Sequence, residues 1–261
     1  MSLLEIKKLE KRFSGIRAVR DCDFVVNENE IVALIGPNGA GKTTVFNIIS
    51  GFIKQDSGHI HFKGEPISEL EVHERALLGI ARTFQLTRLF ANLTAVDNLL
   101  IAKGSEGHRL SKIFLNLRLI GHERDVNRKR CLDLLRIVGL EEKKEELAKN
   151  LSFGQQKLLE IARALATEAD LLLLDEPVAG VNPVMRQKIR EVLLKLKKEG
   201  KTILFIEHDM KFVMGLADKI VVMDSGEEIA VGKPEQIQKN KKVLRAYLGK
   251  KIDIKKGGKR A

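Results

Sequence analysis

The chain has 261 residues, 44% apolar and 31% charged, with a formal net charge of +11. That length allows one large or two small domains with a sizeable core, and the balance is that of an ordinary globular protein. Two distant cysteines, Cys22 and Cys131, argue against a disulfide framework or zinc site, and no apolar run is long enough to span a bilayer. The segment Met1 to Lys7 has the wrong charge order for a signal peptide, so neither a spanning nor an exported chain is expected. The positive charge favours anionic partners, although a generally lysine-rich surface accounts for most of it. Its clearest cluster, Lys250 to Arg260 in the tail 250–261, is expected to be disordered.

In chain order, residues 3–9 and 22–26 read as short strands with a turn at Ser14-Gly15, and Phe13 beside it has the position of a core aromatic. Glu30 to Ile35 is an apolar run of strand character, and Thr44 to Ile49 has the apolar content of a buried helix. Between them, Gly36-Pro-Asn-Gly-Ala-Gly-Lys-Thr43 fits the phosphate-loop pattern G-x-x-x-x-G-K-[ST] at every fixed position. Gly39 and Gly41 carry no Cβ to obstruct a phosphate chain. Loop N–H groups and the helix N-terminus present partial positive charge to that anion. Lys42 adds a full charge at the β and γ phosphates, and the Thr43 hydroxyl can ligate Mg²⁺. Gly36, Pro37, Asn38, Gly39, Ala40, Gly41, Lys42, Thr43 and Thr44 are the candidate nucleotide contacts. Asp56-Ser-Gly58 signals a turn, and His59 to Phe62 another strand.

Arg82-Thr-Phe-Gln85 closes this strand-rich section, and a helical block follows over 86–150. Thr94 caps a helix carrying Val96, Leu99 and Leu100. A second helix runs from about Glu123 to Val138 and stops at Gly139, with Cys131, Leu134, Leu135 and Val138 on its core stripe. Ser152 and Gln155 fit a capping box ahead of a helix with Leu158, Ile161, Ala162 and Leu165 inward. Gly154 is costly in a first helical turn, and suggests close approach of another molecule. Leu171 to Asp175 reads as a buried parallel strand ending at Glu176-Pro177. A helix over 184–199 turns Ile189, Val192, Leu193 and Leu196 inward. Apolar strands follow at Thr202–Ile206 and Lys219–Met223, with a turn at Asp224-Ser-Gly226.

Three apolar strands thus lead into polar groups: the phosphate loop, Asp175-Glu176 and His208. In a parallel sheet those ends share the edge where ligands bind. Asp175 is placed to hold Mg²⁺, Glu176 to orient or deprotonate the attacking water, and His208 to contact the γ-phosphate. Gln85 can complete the Mg²⁺ and water shell.

In order and spacing, Gly36 to Thr43, Gln85, Leu151 to Gln155, Leu172 to Glu176, Ala179-Gly-Val-Asn182 and His208 resemble the ATPase subunit of an ABC transporter, over about residues 3 to 249. The resemblance implies an α/β phosphate-loop NTPase fold with a mostly parallel sheet, an N-terminal antiparallel β subdomain and a helical insertion. The core lobe would comprise about 1–85 and 151–249, and the helical subdomain about 86–150. It further implies a head-to-tail dimer, homomeric or heteromeric, sandwiching two ATPs. Ser152, Gly154 and Gln155 would face a γ-phosphate across that dimer, and Phe13 would stack on adenine. Phe153, in place of a more usual glycine, and Asn182, in place of aspartate, depart from the family pattern.

A closer resemblance, to ATPases of branched-chain amino acid importers, rests on Arg82 to Phe90, Ser152 to Arg163, Ile206 to Gly215 and Leu244 to Gly249. It implies transmembrane permease subunits, a second ATPase, an external solute-binding protein reached indirectly, and a place on the cytoplasmic face of the membrane. Segment 86–103 would receive the membrane partner, and nucleic acid is not expected. The alternatives are the ATPase of a lipid or lipopolysaccharide exporter, and a soluble ABC-type ATPase in iron–sulfur assembly or nucleic-acid work.

Overall fold

The structure, a computed structural model, describes residues 1–83, 89–104 and 117–247, with the side chains of 117–124 left aside. Gln85, the linker around Gly104 to Gly107 beyond its first residue, and the basic tail lie outside the described residues.

β1 (Ser2–Phe13) and β2 (Ile16–Asn27) form an antiparallel hairpin. Both strands are longer than the apolar alternation predicts. The pairing slips between Ile6 and Leu9 and again toward Lys11, and Lys8 and Asp21 take φ 47° and 43°. The slips from Leu9 through Lys11 to Arg12, and the bulge at Asp21, break the two-residue period outside 3–9 and 22–26. The expected turn at Asp56 to Gly58 is also corrected. Gly58 lies inside β4 (Ser57–Phe62), where a Cβ would stand 2.3 Å from Lys8 O. The glycine therefore admits the bulged neighbour strand. With β5 (Glu65–Pro66) these strands make a sheet of order β2-β1-β4-β5.

The second sheet has the order β10-β9-β3-β8-β7-β6. Its strands are β3 (Ile31–Ile35), β6 (Ile80–Arg82), β7 (Leu171–Asp175), β8 (Thr202–Ile206), β9 (Lys219–Asp224) and β10 (Glu227–Gly232). All pairings are parallel except β10 with β9. Every residue of β3, β7 and β8 is buried, as befits strands covered on both faces. Alternation along β3 divides the interior. Ile31, Ala33 and Ile35 enter one core with the helices of the second half, whereas Val32 and Leu34 enter another beneath the antiparallel sheet.

The helices are α1 (Lys42–Ile49), α2 (Val72–Leu78), α3 (Ala95–Lys103), α4 (Leu117–Ile137), α5 (Phe153–Ala166), α6 (Pro183–Lys198), α7 (Met210–Leu216) and α8 (Pro234–Lys239). Thr94 caps α3 by accepting from Asp97 N–H, as expected. α4 begins six residues before the expected Glu123, because Leu117 to His122 carry no start signal that separates them from the helix. Among the described residues no helix is long and apolar enough to cross a membrane.

Candidate functional site

The phosphate loop joins the central strand β3 to α1. Its glycines serve different neighbours. A Cβ at Gly36 would stand 2.1 Å from Met223 O, and one at Gly41 would stand 2.4 Å from Ala18 O. Those two positions are held to glycine by backbone on β9 and β2, and both take positive φ. For Gly41 this adds a constraint within the chain to the expected approach of a phosphate. Gly39 has nothing within 4 Å of its Cβ position and faces open space at φ 80°. Lys42 is buried and donates from Nζ to Gly36 O at 2.8 Å and Pro37 O at 3.0 Å. Its ammonium therefore stands over the loop. Thr43 is exposed at the start of α1, with Thr44 partly buried beside it.

β8 lies between β3 and β7, so the three strand ends are brought to one edge. Asp175 ends β7 and is buried. Burial raises its carboxyl above the ordinary range, against the opposing pull of Arg82, whose Nη2 donates to Oδ2 at 3.3 Å. Glu176 takes φ 51° and donates its N–H to Ile206 O at 3.0 Å. Its Oε1 lies 3.2 Å from His208 Nε2. Sequence reasoning passed over Glu207. This buried carboxylate accepts from Val178 N–H at 2.9 Å and from His208 N–H at 2.9 Å, tying the loop after β7 to the end of β8. Burial raises its pKa despite those bonds. Its signal was the Glu207-His208-Asp209 cluster, in which only the histidine drew attention.

Ser152 and Gln155 form the capping box. Ser152 N–H donates to Gln155 Oε1 at 2.9 Å, and Gln155 N–H to Ser152 Oγ at 3.4 Å. Gly154 is explained within the chain: a Cβ there would stand 2.4 Å from Met185 Cγ and 3.4 Å from Val181 Cγ1. A second molecule is not needed to account for it. Phe153 is 47% exposed, and its ring edge lies against Gly180, 3.2 Å from that residue's Cβ position. Asn182 caps α6 by accepting from Met185 N–H at 2.9 Å. Asparagine fills this role as well as aspartate does.

The description "ABC transporter" matches residues 19–179. The chain belongs to the ABC transporter family. A second description, "Branched-chain amino acid ATP-binding cassette transporter", matches residues 227–252. The high-affinity branched-chain amino acid transport ATP-binding protein BraF of Pseudomonas aeruginosa is 43% identical, covering 95% of this chain and 98% of that protein. The high-affinity branched-chain amino acid transport ATP-binding protein LivG of Escherichia coli is 42% identical over the same shares. A solved ATP-binding cassette of an ABC transporter, in its ADP conformation, is 33% identical with a TM-score of 0.84, covering 95% of this chain and 99% of that one. As an ABC transporter ATP-binding subunit, the protein binds and hydrolyses ATP.

Two further positions stand differently from their first sequence reading or were missed by it. Phe13 is 42% exposed with Lys11 Nζ 5.5 Å from its ring centroid, so it is not a core aromatic. An exposed ring beside the sheet edge of the hairpin is available for stacking. Tyr247, the only tyrosine in the chain, places its hydroxyl beside the Gly36 backbone, and burial pushes that hydroxyl up to about 12. It had drawn notice only as part of a resemblance stretch, because nothing in its local spacing signals contact with a loop more than two hundred residues away.

Proposed function

We propose that this chain powers import of branched-chain amino acids from the cytoplasmic face of the membrane, beneath separate permease subunits. The observation that carries this is the convergence of the phosphate loop, Asp175-Glu176 and His208 on one sheet edge, in a chain whose relatives carry that transport in their names. The working unit divides into a core lobe of about 1–85 and 151–249 and a helical lobe of about 86–150, with the basic tail beyond.

Loop N–H groups and Lys42 bind the phosphates, and Phe13 stacks on adenine. The donors Thr43 hydroxyl and Asp175 carboxylate are hard oxygens, and a buried carboxylate of raised pKa gains from a cation. That chemistry fits Mg²⁺, with Gln85 completing the set, and the bound ion supplies charge neutralisation at the β and γ phosphates. Glu176 orients the attacking water and accepts its proton as the water oxygen bonds the γ-phosphorus. The bond to the β–γ bridging oxygen then breaks, releasing ADP and phosphate. His208 fixes the Glu176 carboxylate and contacts the γ-phosphate. In a head-to-tail dimer with a second ATPase, Ser152, Gly154, Gln155 and the N-terminus of α5 meet the nucleotide of the other subunit. The γ-phosphate is bridged only in the closed dimer, so ATP favours closure and hydrolysis reopens it.

A groove of about 370 Å³ lined by Phe52, Arg82, Phe90, Ile101 and Arg163 supports docking of a permease segment beside residues 86–103. Exposed Phe52, Phe90 and Ile101 provide apolar surface for a membrane subunit. The test is a pull-down of tagged Glu176→Gln from detergent-solubilised native membranes with ATP. Two multi-span permeases and a second ATPase are expected. The associated solute-binding protein is then screened with leucine, isoleucine and valine. A wholly soluble partner set, or nucleic acid, would overturn the transporter reading.

A further inference from the structure

Arg82 ends the edge strand β6, and its side chain is only 6% exposed. A buried guanidinium is costly unless it is paired with a charge and hydrogen-bonded. Nη1 donates to Asn47 Oδ1 at 2.7 Å and to Ser50 Oγ at 2.8 Å. Nη2 donates to Asp175 Oδ2 at 3.3 Å. The Cζ lies 5.7 Å from the ring centroids of both Phe46 and Phe52. Asn47 and Phe46 belong to α1, the helix that begins with Lys42 and Thr43, and Ser50 closes it. One rigid fork thus joins the helix behind the phosphate loop to the carboxylate at the end of β7. Phe52 lines the groove together with Arg82.

We propose that Arg82 is a positioning residue for the ATPase reaction, holding the Asp175 carboxylate against α1 in the orientation that receives Mg²⁺. This rests on the reading of Asp175 as a metal ligand. Outer partners that hydrogen-bond a ligating carboxylate set metal affinity by about 10–100-fold. The pairing uses one carboxylate oxygen, and its length of 3.3 Å marks an orienting contact rather than a tight bidentate clamp. Lysine cannot replace the function. It lacks the planar fork that reaches Asn47, Ser50 and Asp175 together while staying within cation–π distance of two aromatic rings.

The test uses the full chain and a fluorescent ATP analogue, titrated without Mg²⁺ in chelator and then against rising Mg²⁺. Binding is the readout, so turnover is not required. Arg82→Ala is expected to keep metal-free nucleotide affinity within about twofold, and to raise the half-saturating Mg²⁺ concentration by about 10–100-fold. Arg82→Lys shifts in the same direction. Asn47→Ala removes one anchor while leaving the Arg82–Asp175 pair, and gives a smaller shift of the same sign. It also keeps the inference testable if Arg82→Ala does not fold. Half-saturation unchanged or lowered in the folded Arg82 variants, or in Asn47→Ala alone if they fail to fold, overturns the positioning role. Asp175→Asn separates the two readings. Loss of the Mg²⁺ response there leaves only the Arg82 results to decide, and an intact response overturns the ligand reading and this inference together.

Discussion

His208 Nε2 stands 3.2 Å from Glu176 Oε1, and the two residues follow the ends of neighbouring parallel strands. Glu176 is held at φ 51°, with its N–H on Ile206 O. A non-glycine residue in that region costs on the order of 1 kcal/mol, so its surroundings must hold it there. The hydrogen bond to β8 and the contact with His208 do so, and they aim the carboxylate at the edge where the phosphate loop opens.

Glu176→Gln is expected to slow hydrolysis by about 10²–10⁴-fold, the usual contribution of a positioned base, while ATP binding persists and a closed dimer accumulates. Single-turnover phosphate release, equilibrium nucleotide binding and size-exclusion chromatography check this. A variant with wild-type turnover removes Glu176 from the role. His208→Ala acts in the same direction with a smaller loss, because the Ile206 anchor remains.

Lys42→Ala deletes a cation poised over the loop. A hydrogen bond to a charged group contributes about 1.5–3 kcal/mol, so nucleotide affinity is expected to fall by about 10–100-fold. Isothermal titration decides it. Unchanged affinity contradicts the phosphate assignment.

Gly154→Ala forces a methyl group onto Met185 Cγ. Overpacking of this kind costs about 1–3 kcal/mol, read as a lowered urea midpoint. Met185→Ala in the same chain should recover most of the loss, giving a coupling energy that marks direct contact. Unaltered stability combined with lost ATP-dependent dimerisation would make the proposed cross-subunit role, rather than the Met185 contact, the reason for glycine at 154.

Tyr247→Phe removes the buried hydroxyl beside the Gly36 backbone. The KM for ATP should rise more than kcat falls, since that hydroxyl stands beside the loop expected to hold the phosphates. Equal kinetic constants would leave the hydroxyl with a packing role alone.

Asp56, Glu141 and Glu168 are held below their usual pKa by hydrogen bonds from Lys11, Arg136 and Lys103 respectively. A lowered folded pKa stabilises above the unfolded value and loses that contribution as pH falls through the folded one. Asp175 and Glu207, raised by burial, contribute with the opposite sign and cost stability as they ionise. The three lowered groups contribute a fall in urea midpoint as pH drops from about 5 to 3, against the opposite contribution of Asp175, Glu207 and Glu228. Glu168→Gln should make that fall shallower, and an unchanged slope would assign the acid sensitivity elsewhere.

Local pattern alone carried much of this protein. The phosphate loop lies between a strand and a helix, the fully apolar runs became the buried strands β3, β7 and β8, and Thr94 and Ser152 cap helices as their spacing foretold. Such features are legible because strand burial, helix caps and glycine turns depend on residues a few positions apart. Other features required the tertiary structure. The bulges at Lys8 and Asp21 erase the alternation that marks a strand, and Gly58 answers to the backbone of β1. Gly154 answers to Met185, Phe153 lies on Gly180, Glu207 secures the loop after β7, and Tyr247 meets Gly36. Arg82 joins α1 to Asp175 across 93 positions of sequence. Each of these depends on a neighbour distant in the chain, so its physical reason arises only when folding brings the two segments together.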